Sequence, residues 1–285
     1  MQLDVSLFDR CRLLVVGDLM LDEYVWGRVE RISPEAPVPV LSVTNDEFTL
    51  GGAANAAKNL AVLGAKVMVA GVVGQESHGK KLRDELVKIG ADVSAVVVEP
   101  KRPTTRKTRI IAEHQQMLRI DRETIKEIAP ESTDALIKRM SNLLSVSDVV
   151  LISDYGKGVV TPRLISALAE KARCSGKIAI ADPKGRDYAK YAGLTLITPN
   201  KKETAQAAAM EIHDDGSLFA AGKQQSFLRQ DAPRAGRLYS HTIECGDNLH
   251  SDERLFGIRR EKTEKQQEYC GAEWKGFHEI PFFFT

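Results

Sequence analysis

The stretch VVLISDYGKGVVTPRLISALAEKARCSGKIAIADPKG, residues 149–185, decides the fold. It opens on an unbroken apolar run, Val149-Val150-Leu151-Ile152, that stops at Ser153-Asp154. Pro162 to Ala172 then carries its apolar residues at helical spacing, with proline in the first turn, where its missing N–H costs nothing. A second apolar run, Ile178 to Ala181, stops at Asp182-Pro183. Neither run alternates with polar residues, so each reads as a strand buried on both faces. Two such strands joined through a helix make a parallel crossover unit.

The same unit recurs on both sides. Leu13 to Val16 ends at Gly17-Asp18, Val67 to Val73 ends at Gly74, and Leu194 to Ile197 precedes Thr198-Pro199-Asn200. Helical patterns cover Asn55 to Leu63, Lys80 to Ile89 and Ser132 to Leu144. The alternation predicts a doubly wound α/β sheet. Ligands of such sheets gather at the carboxyl ends of the strands, where Asp18, Asp154, Asp182 and Asn200 fall. Pro37 to Val43 and parts of Thr105 to Asp121 alternate at period two without an intervening helix, which predicts antiparallel strands in a small separate sheet suited to a lid.

Composition narrows the class. The 285 residues are 43% hydrophobic and 28% charged, with a net charge of +1, which excludes collagen-like and globally disordered chains. So balanced a charge predicts neither a nucleic-acid groove nor a membrane-surface protein. Four dispersed cysteines suit a reducing compartment. No apolar run approaches the ~18 residues of a membrane helix, and Asp4 and Asp9 precede the first apolar run without a basic segment, unlike a signal peptide. A cytoplasmic protein is the expectation. Beyond residue 223 the pattern changes: 23 valines lie in 1–223 and none in 224–285, where only 21 of 62 residues are hydrophobic. Two readings stand for 224–285: an irregular C-terminal subdomain, or a divergent tail, frameshifted or spliced, that does not complete this fold.

Several motifs carry chemistry, each beside a structural alternative. Gly51-Gly52-Ala53-Ala54-Asn55 opens a helix; glycines admit close backbone approach to a ligand, and Asn55 can bond sugar hydroxyls, or the motif is a tight turn with a cap. Asp22, four residues past Asp18, suits a polyol or a solvated turn. Glu99 to Lys126 holds eight basic and four acidic residues, among them Lys107, Arg109 and Arg119; this fits an anionic substrate or a solvated sheet face. Ser153 to Gly158 and Asp182 to Gly185 each set a carboxylate and a lysine at the ligand edge. Asn200 and Glu203 stand at capping-box spacing, or Glu203 acts on a magnesium-bound water. Gly74 to Lys81 nearly matches a P-loop, but Lys81 stands where Ser or Thr would hold magnesium. His241, Cys245, His250 and Cys270 fit no common zinc spacing.

Taken together, GDLMLD (17–22), RISPEAPVPV (31–40), GGAANAAKNLAVLGA (51–65), TRKTRIIAEHQQMLRIDRE (105–123), SDYGKG (153–158), DPKG (182–185) and TPNKKE (198–203) resemble the ribokinase-like (PfkB) carbohydrate kinases over about residues 1–223. RISPEAPVPV with HQQMLRID resembles, within them, the kinase domains that act on D-glycero-β-D-manno-heptose 7-phosphate. The resemblance implies ATP- and magnesium-dependent phosphorylation of that sugar at C1, in ADP-heptose and lipopolysaccharide core synthesis. It implies a β lid over the sugar that also forms a homodimer. Asp22, Gly51, Gly52 and Asn55 would hold the sugar, Lys107, Arg109 and Arg119 the lid and the 7-phosphate, and Lys184, Asn200 and Glu203 would lie toward ATP and its metal. The family's catalytic D-x-x-G-A-G-D, with its anion hole and base, does not occur in the sequence, nor does the H-x-G-H of an adenylyltransferase. Gly246-Asp247 is the nearest echo. The expectation is therefore an impaired kinase; the alternatives are a non-catalytic module that binds a sugar phosphate or dimerises, and a kinase for another sugar with Asp247 as base.

Overall fold

The computed structural model describes residues 5–227. Asp247, the four zinc candidates and all but the first residues of 224–285 lie outside the described residues.

After a short 3-10 turn come β1 (Arg12–Gly17), β2 (Leu19–Ile32), β3 (Pro39–Gly52), α1 (Ala53–Val62), β4 (Lys66–Val73), α2 (Ser77–Lys88) and β5 (Asp92–Val98). Then follow β6 (Thr105–Ala112), β7 (Gln115–Arg122), α3 (Pro130–Val146), β8 (Val149–Ser153), α4 (Pro162–Cys174) and β9 (Ile178–Asp182). The described chain closes with β10 (Leu196–Ile197), α5 (Lys201–Ala208) and α6 (Asp215–Phe227).

Six strands form one parallel sheet in the order β10-β9-β8-β1-β4-β5. Its central strands are apolar on both sides because both sides are covered: Leu14, Val16, Val150 and Ile152 share a core with Leu136, Met140 and Leu144 of α3 and Leu164, Ile165 and Leu168 of α4. α1 packs on β1 and β4 and buries Ala53, Ala54, Ala57 and Leu60. Small residues there let the helix lie close to the sheet.

The second sheet, β3-β2-β6-β7, grows out of the first. β2 leaves directly after β1 and Asp18, and β3 returns into α1. β2 pairs antiparallel with β3 and parallel with β6, and β6 pairs antiparallel with β7. The period-two stretch 37–43 covers only the tip of β3, which runs on to Gly52. β2 lacks a clean alternation because its base is buried and its tip is exposed; β5 was equally silent, its polar start masking the run Ala95 to Val98. Of the apolar run 194–197, only Leu196 and Ile197 pair as strand.

Register sets the lid's inner chemistry. Asp22, Lys107 and Asp121 are cross-strand neighbours in one row, and Tyr24, Arg109 and Arg119 occupy the next. Side chains of directly paired residues share a face, so Lys107 lines up between two carboxylates, with the two arginines of the next row beside it.

Candidate active site

Asp18 stands at the end of β1, where a ligand-binding carboxylate was expected. It is buried and its oxygens are taken by the chain itself: Oδ2 accepts the N–H groups of Tyr155 at 2.8 Å and Lys157 at 3.1 Å, and Oδ1 that of Val159 at 3.1 Å. Burial pushes its pKa up, and the bonds to Lys157, Tyr155 and Val159 hold it down in part. Asp18 thus fixes the Ser153–Gly158 loop as a rigid platform rather than meeting a ligand. Asp154, also buried, closes the platform from below. Its Oδ1 accepts the Gly156 N–H at 2.7 Å and its Oδ2 the Tyr191 hydroxyl at 2.6 Å. The Tyr191 oxygen in turn accepts the Lys184 N–H at 2.8 Å, so the two strand-end loops are tied together.

Asp22 projects from the lid row. Its Oδ1 accepts from the Arg109 guanidinium at 2.5 Å, and the guanidinium lies 5.2 Å from the Tyr24 ring centre. The bond to Asp22 raises the Arg109 pKa. Gly51 is where it is because a Cβ there would sit 2.4 Å from Asp22 Oδ2. Gly52 adopts φ 55 as the chain turns into α1, and a Cβ would lie 2.6 Å from the Asp18 carbonyl. Both glycines therefore pack closely against β2, and Asn55 stands exposed in the first turn of α1. Lys58 of the same helix reaches Thr49 of β3 at 3.5 Å.

The three basic lid residues divide. Arg109 is engaged by Asp22, and Arg119 holds Asp121 through two bonds of 2.8 and 2.9 Å. Lys107 lies between Asp121 at 3.2 Å and Glu123 at 3.5 Å. Lys157 also reaches Glu123, at 2.7 Å. Lys157 sits in a motif the sequence singles out, but only its fold neighbours reveal what it faces.

At the ends of β9 and β10, Asn200 and Glu203 form a complete capping box: Asn200 Oδ1 accepts the Glu203 N–H at 2.9 Å and Glu203 Oε2 accepts the Asn200 N–H at 3.1 Å. Glu203 Oε1 meets the Lys184 ammonium at 2.9 Å. Asp182, at the end of β9 and open to water on one side, is pushed up to about 6 by desolvation first and by the charge of Glu203 second. A cation would relieve the desolvated Asp182 carboxylate beside Glu203, and Lys184 is the positive group nearest to both. This donor set fits a hydrated magnesium bound through one or two carboxylates together with nucleotide phosphates.

The P-loop resemblance at Gly74 fails on geometry. The Gly74 N–H is donated to Thr104 Oγ1 at 2.9 Å, and the Glu76 carboxylate accepts the Thr104 N–H at 2.7 Å. A Cβ on Gly79 would lie 2.1 Å from the Gly74 carbonyl. Thr104 and Glu76 thus tie the loop to the segment before β6, and Gly79 packs on the Gly74 carbonyl.

The sequence matches the pfkB family carbohydrate kinases over residues 11–230. It is 53% identical over 218 residues to the bifunctional protein HldE of Desulfatibacillum aliphaticivorans, covering 76% of this chain and 45% of that protein. It is 48% identical over 212 residues to the bifunctional protein HldE of Wolinella succinogenes, covering 74% and 45%. The chain thus spans less than half the length of these relatives. Among solved structures it superimposes on Arabidopsis thaliana ribokinase complexed with ribose and ATP, with a TM-score of 0.57 and 18% identity over 76% of this chain and 69% of that one. The tetrameric inhibited form of phosphofructokinase-2 from Escherichia coli gives 0.60 and 19% over 77% and 71%. These two share the ribokinase-like fold with it.

Proposed function

The chain belongs to the pfkB family of carbohydrate kinases, and we propose that it takes a heptose 7-phosphate beneath the lid, with ATP and magnesium at the carboxyl ends of β9 and β10. The observation that carries this reading is the lid row, in which Asp22 is braced by Arg109 and by the close approach of Gly51, opposite a helix start bearing Asn55. A carboxylate fixed by a guanidinium and still partly open is suited to accept hydrogen bonds from sugar hydroxyls. Gly51 and Gly52 let backbone come close to the sugar, and Asn55 both donates and accepts. Lys107, Arg109 and Arg119 bring positive charge to the 7-phosphate end. The heptose assignment rests on RISPEAPVPV and HQQMLRID, and the HldE relatives support it.

Lys184, Asn200 and Glu203 lie toward the nucleotide in this reading. Bound ATP supplies the phosphoryl group, and magnesium offsets the charge of its phosphates. The chain's part is to orient the C1 hydroxyl and to neutralise the 7-phosphate. What it lacks is the D-x-x-G-A-G-D element, so nothing in the sequence matches the family's anion hole or base. Stabilisation of developing charge supplies much of the rate in phosphoryl transfer. The expected outcome is calorimetric binding of D-glycero-D-manno-heptose 7-phosphate with ATP turnover far below the ordinary ~1–100 per second. Turnover at that ordinary rate overturns the impairment, and no binding overturns the site. No helix among the described residues is long and apolar enough to cross a membrane, and a cytoplasmic location belongs to the same proposal.

A further inference from the structure

We infer that Lys107 and Lys157 form a two-jawed clamp for a phosphate monoester, held ready by the chain's own Glu123. This rests on the sugar-phosphate reading above and names a residue, Lys157, that the reading does not need. Lys107 is on β6 of the lid, whereas Lys157 is on the platform loop after β8. The two ammonium groups meet at one carboxylate: Lys157 Nζ lies 2.7 Å from Glu123 Oε1, and Lys107 Nζ lies 3.5 Å from Glu123 Oε2. Glu123 follows β7 directly, at the point where the lid rejoins the main sheet.

The pairing is uneven. Glu123 Oε2 is buried and accepts no hydrogen bond, and Lys107 spreads its charge over two long contacts, to Asp121 at 3.2 Å and to Glu123. A buried acceptor without a donor costs free energy. A phosphate monoester carries about two charges and three acceptor oxygens, so it can bond both ammonium groups at short range, which the planar carboxylate does not. Lys157 stands on a fixed backbone, because its own N–H and those of Tyr155 and Val159 are bonded to Asp18. Lys107 rides on the lid. Exchange of Glu123 for a phosphate therefore couples anion binding to the position of the lid against the platform, and selects phosphorylated over plain sugars.

The test is isothermal titration of the full chain and its variants with D-glycero-D-manno-heptose 7-phosphate, the unphosphorylated heptose and orthophosphate. Lys157→Met should weaken the phosphorylated sugar at least tenfold and change the plain sugar less than twofold, and Lys107→Met should do the same. Glu123→Gln, which removes the competing charge, should bind the phosphorylated sugar as tightly as the parent or more so. Equal losses for both sugars, or a loss in Glu123→Gln matching that in Lys157→Met, make the trio a structural strut and overturn the clamp. If Lys157→Met does not fold, the Lys107 and Glu123 variants decide by the same criteria. If the parent fails to bind the heptose phosphate but binds orthophosphate in a Lys157-dependent way, the heptose reading falls and the clamp stands. Binding of neither overturns both.

Discussion

At the residue scale, the site depends on which carboxylates the chain consumes internally. Asp18 and Asp22 are four residues apart and chemically alike, yet one is spent on three backbone N–H groups and the other faces the lid row. Gly51 is the residue that leaves Asp22 its place. In Gly51→Ala the new methyl should push the carboxylate off Arg109, weakening heptose 7-phosphate about tenfold, or about 1.4 kcal/mol, with little change in melting temperature. Unchanged affinity by calorimetry would free Asp22 of that role. Asp182 carries the pH dependence. Its folded pKa of about 6 stands above the ordinary aspartate value of 3.8. The folded state therefore holds the proton more tightly. The contribution to stability is full below about pH 4 and is lost as pH rises through 6. Asp182→Asn should consequently be more stable than the parent above pH 6 and equal to it near pH 4, as denaturant unfolding at the two pH values would show. Water access to Asp182 keeps the effect small.

At the element scale, the platform loop is the joint between the two sheets. Gly158 has φ +84, and a Cβ there would sit 2.0 Å from the Lys126 carbonyl, in the segment between β7 and α3. Arg102 donates to the same carbonyl at 3.0 Å. Only glycine holds this backbone without strain. Gly158→Ala should cost about 2 kcal/mol or more in urea unfolding and should weaken the phosphorylated sugar by displacing Lys157; an unchanged midpoint would mean that the loop relaxes freely. The elements themselves were legible where the pattern was local. Unbroken apolar runs announced β1, β4, β8 and β9, helical spacing announced α2 to α4, and a run rich in Ala and Leu announced α1. β2 was silent because its fourteen residues cross from the core to an exposed tip, so that no single periodicity spans them.

At the scale of the whole molecule, the lid carries six of the fifteen large apolar side chains that stand exposed among the described residues. Ile32, Val38 and Val43 stand exposed at its β2–β3 end and Met117, Leu118 and Ile120 on its edge strand β7, and exposed apolar residues on an edge strand suit association. The homodimer that the family resemblance implies would draw on these residues. The parent should elute as a dimer in size exclusion with light scattering, and Leu118→Glu should convert it to monomer; a parent already monomeric at micromolar concentration removes the dimer. The valine contrast that sets off 224–285 weakens at this scale. Val160 is the last valine in the chain, and 161–223 folds into α4, β9, β10, α5 and most of α6 without one. The end of the family match at residue 230 is the firmer mark of a change.

The sequence by itself determined the parallel α/β architecture, the existence of a separate small sheet and the polar residues at the strand ends, because each is written in short-range periodicity and in turn chemistry. It also carried the family, through motifs that are contiguous. Only the tertiary structure decided which of those polar groups are free to meet a ligand. Asp18 is claimed by amides 137 to 141 residues away, the Gly74 loop is closed by Thr104, and Lys107, Glu123 and Lys157 converge from three separate segments. Hydrogen bonds and ion pairs act over a few ångströms of space regardless of separation along the chain, so their partners are fixed only when the strands have found their order and register.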